Sequence, residues 1–304
     1  MDVSLALWAG TIAVLVLLIA ADFFIGGRKP HEVSMKEAGT WTVVWVLLAV
    51  AFGGFLWWYG GGDKAGEFFA GYLTEKSLSV DNLFVFLLIM AKFAVPAKHQ
   101  PRVLMVGVII ALVLRAIFIA AGAALIANFS WIFYLFGAFL VWTAWKLLKE
   151  ARGGHQEEEF EEGRLLTALR RWFPSLSAMG LVMLAIGTTD LLFALDSIPA
   201  IFGLTQDAYI VFTANAFALM GLRQLYFLLG GLLDRLVHLS YGLAVILGFI
   251  GVKLVLHALH ESGVHVPEIG IPLSLGVIGA VLAVTTVSSL WATRRAARAL
   301  PAAE

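Results

Sequence analysis

The chain has 304 residues, 61% hydrophobic and 14% charged, with Lys plus Arg and Asp plus Glu at 21 each and no formal net charge. So little polar surface cannot clothe a water-soluble fold of this size, and without a basic excess there is no footing for nucleic acid. No cysteine is present, which removes disulfides, thiolate metal ligation and thiol redox chemistry and leaves oxygen and imidazole as the strong ligands.

Apolar runs of about 20 residues, the length that crosses a hydrocarbon core of about 30 Å, recur along the whole sequence. They predict an all-α membrane protein, one polytopic domain over 1–304, with about nine spans near 5–26, 38–60, 66–92, 102–127, 130–149, 177–203, 209–230, 239–260 and 270–292. The first run follows Asp2 and precedes Arg28 and Lys29, the reverse of a signal peptide's basic lead, so it is expected to be a retained helix. In the second, Trp41, Trp45, Trp57, Trp58 and Tyr59 stand near the ends, where amphipathic rings favour the headgroup zone.

The third run reads Glu75-Lys76-Ser77-Leu78-Ser79-Val80-Asp81-Asn82, with two carboxylates where a span should be apolar, and the fourth contains Arg115. Between the fifth and sixth, residues 150–176 form a predicted cytoplasmic loop with the acidic run Glu157–Glu159, Glu161, Glu162, read as a solvated surface. The sixth reads Thr188-Thr189-Asp190-Leu191-Leu192-Phe193-Ala194-Leu195-Asp196-Ser197-Ile198-Pro199. Asn215 and Arg223 fall in the seventh, Lys253 in the eighth, and His257 and His260 at the end of the eighth, where exposed histidines are the simpler reading. Asp22, near the end of the first, reads as interfacial, and Asn215 as a ligand or a helix-to-helix hydrogen bond. Placing the N-terminus outside collects Arg28, Lys29, Lys36, Lys92, Lys98, Arg102, Lys146, Lys149, Arg152, Arg164, Arg170, Arg171, Arg235, Arg294, Arg295 and Arg298 on one side, with only Lys64 opposite. By the positive-inside rule the chain is N-out and C-in across a bacterial-type cytoplasmic (inner) membrane.

The third and sixth spans share a pattern: an acid, five residues, then Asp followed by a small polar residue. A shift of three spans reverses direction, so the pattern predicts a three-plus-three inverted repeat with an ion site between the halves, and it places Glu75 at the depth of Asp196. Six residues of helix turn about 240° net, so two acids of one span share a face only if the helix is broken. Pro199 is the candidate break, because it frees the Leu195 carbonyl beside Asp196. Each buried acid costs roughly 2.5–3.5 kcal/mol at a helix centre on insertion scales. Such a cost points to ion binding, with Glu75, Asp81, Asn82, Asp190, Asp196 and Ser197 as a hard oxygen set for a divalent cation. Lys76, Arg115, Arg223 and Lys253 match the four acids in number, as gates or counter-charges, or as partners in a purely structural ion-pair network.

EKSLSVDNLFVF (75–86), TDLLFALDSIPAIF (189–202), GLRQLYFLL (221–229) and YGLAVILGFIGVK (241–253) resemble the TerC family, its Alx-like branch, over essentially the whole chain. The resemblance implies a LysE-superfamily-like transporter fold and manganese export, with links to tellurite resistance, alkaline-pH response and metal supply to exported enzymes. It also implies Glu three residues before Asp190, where this sequence has Gly187.

The expectation is therefore a secondary transporter, not an enzyme. It has no prosthetic group, takes Mn²⁺ as cargo, uses the bilayer as solvent, and has secretion or membrane-protein partners as a further expectation. No Walker GxxxxGK[ST] segment is present. Against an intramembrane aspartyl dyad of Asp81 and Asp196, neither residue stands in a GxGD segment of the kind such hydrolases carry. The remaining alternative is a non-transporting scaffold that delivers metal to secreted proteins.

Overall fold

The computed structural model describes residues 3–22, 24, 33–129, 131–153, 171–172, 177–229 and 237–299, and the acidic run of the 150–176 loop lies outside them. The described helices are α1 (Leu5–Asp22), α2 (Met35–Gly60), α3 (Gly62–Lys92), α4 (Gln100–Asn128), α5 (Ile132–Gly153), α6 (Ala178–Phe202), α7 (Ala208–Leu219), α8 (Leu222–Leu229), α9 (Leu239–Glu261) and α10 (Ile271–Ala299). Among the described residues eight segments, with α7 and α8 counted as one, are long and apolar enough to cross a membrane. The remaining long helix, α3, has 31 residues, about 46 Å of rise, but is interrupted by charge.

The surface carries what a bilayer requires. Trp58 is 82% exposed, and Leu17, Leu47, Val113, Val284 and Val287 also face outward. Helices hydrophobic all round can turn apolar residues both to lipid and to one another, so what distinguishes the inward faces here is small and polar residues. On α2 the buried Ala38, Trp45, Ala49, Gly53 and Leu56 follow helical spacing and make one inward stripe, while Ser34 caps the helix by accepting from Glu37 N at 3.2 Å.

At the centre stand α3 and α7. The first packs against α2, α6, α7 and α10, and α6 packs along α4. In α7 every residue from Tyr209 to Leu219 except Phe212 is buried. An aromatic cluster of Trp8, Phe52, Phe68, Tyr72, Tyr209 and Phe217 fills one end of this centre. A mainly aliphatic cluster with Leu83, Val103, Ile186 and Leu225, joined by Phe86, fills the other.

The interruption expected at Pro199 occurs elsewhere. α6 continues through Pro199 to Phe202, because a proline one turn from the helix end removes a single late hydrogen bond. The broken span is the seventh, which stops at Met220 and restarts at Leu222. Gly221 makes the joint with φ +85°, and a Cβ there would meet the Trp45 side chain at 3.0 Å, so both backbone and space require glycine. The carbonyls left over by the break are taken by Lys76, whose Nζ donates to Ala218 O at 2.9 Å and Met220 O at 3.4 Å.

Candidate functional site: a buried carboxylate cluster around Arg115

Arg115 projects from α4 into the space between α3, α6 and α7, and its side chain is 1% exposed. Its Nε donates to Asp190 Oδ2 at 2.7 Å. Its Nη1 donates to Glu75 Oε1, to Ser197 Oγ at 3.1 Å and to Asn215 Oδ1 at 3.4 Å. Glu75 is fully buried and also accepts from Ser79 Oγ and Asn215 Nδ2, each at 3.2 Å. Three helices thus aim oxygen atoms at a guanidinium on a fourth, and two carboxylates against one guanidinium leave a formal charge of −1.

The helical period explains the grouping. Asp190 and Ser197 are seven residues apart on α6, two turns on one face, and so both reach Arg115. Asp196 follows Asp190 by six and is turned away, accepting from Thr143 Oγ1 on α5 at 3.2 Å. Because α6 is unbroken, its two acids occupy different faces, and the partner that shares Nη1 with Glu75 is Ser197 instead of its neighbour Asp196. The side chains of Asp81 and Asn82 lie outside the described residues. Among the described residues no three acidic or imidazole side chains are grouped so as to hold a metal ion.

The other basic residues are dispersed. Arg223 pairs with Asp22 at 2.7 Å, with Gln224 on the same carboxylate oxygen at 3.1 Å, tying α8 to α1. Asp22 is therefore a packing partner, a role its position at the end of an apolar run did not reveal. Lys253 donates to Ser274 Oγ at 3.2 Å, linking α9 to α10. His257 stands edge-on to Phe133 and 2.6 Å from Gln206 Nε2, while His260 lies at the exposed end of α9.

Gly187, where the family resemblance implies Glu, has no room for a side chain. A Cβ would lie 2.5 Å from Ile110 Cγ2 and 3.3 Å from the Gly107 carbonyl, because α4 and α6 touch there. The position serves helix approach one turn before Asp190.

A second polar layer, absent from the sequence reasoning, lines a cavity of about 960 Å³ at the face where α3 and α7 begin. Glu67 accepts from Lys64 Nζ at 2.9 Å and from Thr205 Oγ1 at 2.5 Å, and Lys64 lies 3.9 Å from Asp207, which caps α7. The available signal was spacing: Glu67 precedes Glu75 by eight residues, as Asp207 precedes Asn215.

A bundle of long apolar helices around a dry ionic centre defines a multi-pass integral membrane protein. Residues 60–297 match the model of the integral membrane protein TerC family, and the chain belongs to that family. It is 45% identical over 323 residues to the uncharacterized membrane protein Rv2723 of Mycobacterium tuberculosis, covering 97% of this chain and 81% of that one. It is 40% identical over 304 residues to the uncharacterized membrane protein STKORF319 of Myxococcus xanthus, covering 94% and 93%. To the Escherichia coli protein named "Putative membrane-bound redox modulator Alx" it is 39% identical over 313 residues, covering 95% of each chain. No solved structure matches it.

Proposed function

We propose that the protein is a secondary transporter that exports a divalent metal cation, Mn²⁺ by family resemblance, through the cluster at Glu75, Asp190, Ser197 and Asn215. The observation that carries this reading is the convergence of two fully buried carboxylates from different helices, with a hydroxyl and an amide oxygen, inside an apolar bundle. Buried carboxylates in a span are costly and mark ion paths, and carboxylate, amide and hydroxyl oxygens suit Mn²⁺, Mg²⁺ or Ca²⁺. The metal ion is cargo here, and Arg115 is the counter-charge of the empty site.

Within this reading α3 is a ninth span, the N-terminus is outside and the C-terminus inside, and two halves are related by inversion. The pairings α3 with α7 and α6 with α4 support the inversion, since exchanging the halves converts one pair into the other. In each pair a small residue permits close approach about one turn before the first acid: Gly71 against Ala214, and Gly187 against Ile110. The printed name of the Alx relatives concerns redox state. This chain has no thiol to exchange, so carrying a redox-active metal is the route by which it would act on redox balance.

Mn²⁺ flux into proteoliposomes tests the reading, with wild type and Glu75→Gln reconstituted at matched density. Flux in wild type and its loss in the variant are expected. Absence of flux of Mn²⁺, Ca²⁺ and Mg²⁺ in wild type under imposed pH gradients would overturn transport. That outcome would favour a metal-delivery scaffold, a reading to which Arg115 already holding both carboxylates also lends weight.

A further inference from the structure

Arg115 and Asp190 form half of a fork. Nε and Nη2 lie along one edge of the planar guanidinium, and a carboxylate can take both in parallel. Here Asp190 Oδ2 holds Nε at 2.7 Å, while Nη2 and Asp190 Oδ1, both fully buried, have no hydrogen-bond partner among the described residues. The opposite nitrogen, Nη1, takes all of the remaining contacts, to Glu75, Ser197 and Asn215. A small swing of the guanidinium about its Nε anchor exchanges one set for the other. It completes the fork on Asp190 and withdraws Nη1 from the other three groups. Unpaired buried polar atoms are expensive, so the two that are left over here mark where the missing bond is available.

We infer that Arg115 is a built-in competitor for the cation site. In the empty protein its Nη1 occupies the oxygens of Glu75, Ser197 and Asn215, and the entering divalent ion takes those oxygens as the guanidinium closes its fork on Asp190. The inference rests on the transport reading and divides its site in two. Glu75, Ser197 and Asn215 are ligands to the ion, and Asp190 is a positioning residue that acts through Arg115. A single carboxylate with neutral oxygens is a weak site, in keeping with the absence of any group of three acids or histidines among the described residues. A cargo that must leave again needs such a site.

The test is a double-substitution cycle read as Mn²⁺ binding, from the paramagnetic resonance signal of free Mn²⁺ titrated with purified protein. Glu75→Gln is expected to abolish binding. Asp190→Asn is expected to weaken it about tenfold, because the guanidinium then has no second place to go, and the charge-balanced pair R115Q/D190N to recover it to the wild-type level or tighter. R115M/D190N is the second version of the same pair, since an apolar replacement of a buried ion pair is generally tolerated. Recovery in either pair supports the competitor. If both fold and neither binds better than Asp190→Asn, Asp190 is itself a ligand and this inference falls while transport stands. If wild type binds no Mn²⁺, the transport reading fails and takes the inference with it.

Discussion

The inner cluster and the outer cavity are built on the same two helices. Glu75 and Glu67 stand eight residues apart on α3, and Asn215 of α7 stands eight from that helix's cap, Asp207, which sets two polar layers about 12 Å apart. Each has a carboxylate from α3 beside a resident basic side chain, Arg115 within and Lys64 without. What separates them is exposure. The side chains of Arg115 and Glu75 are 1% and 0% exposed, those of Lys64 and Glu67 25% and 12%. One set of ingredients thus makes a buried ion pair at one depth and a partly exposed one lining a cavity at the other.

That contrast can be broken by removing the cations. Arg115→Ala leaves two carboxylates uncompensated in a dry centre, and a loss of about 3–5 kcal/mol is expected, seen as a collapse of the thermal melting temperature in detergent. Gly187→Glu sharpens the comparison by testing what seals the inner layer. The side chain must drive α4 and α6 apart at Ile110, and a loss of about 1–3 kcal/mol is expected from the same melt. An unchanged melting temperature would show that the helices part easily there. Lys64→Gln should cost under about 1 kcal/mol, since a partly hydrated pair is screened. A loss as large as that of Arg115→Ala would erase the distinction between the layers.

The span ends were legible because apolar run length is set by bilayer thickness, and α2, α4, α6 and α9 begin and end within a few residues of their predicted limits. Glu75 and Asp190 were legible as charges out of place. Which base meets which acid was not, because four acids and four bases match in number, and only the packing of α4 against α6 and α7 selects Arg115. The joint at Gly221 was written in the sequence as a glycine followed by Arg223 and Gln224 inside an apolar run, but it was masked by the stronger signal of Pro199. Glu67 escaped notice because a charge near the end of a span is ordinary.

The short α7 has an electrical consequence. Twelve residues rise only about 18 Å, short of a hydrocarbon core of about 30 Å, and the carbonyl end carries roughly half a negative charge. Lys76 lies against that pole, and Asp207 sits at the opposite, positive one. The helix macrodipole is complemented at both ends by side chains fixed in place. Asn215 therefore stands on a helix whose poles are already spoken for, and Lys76 is committed to one of them.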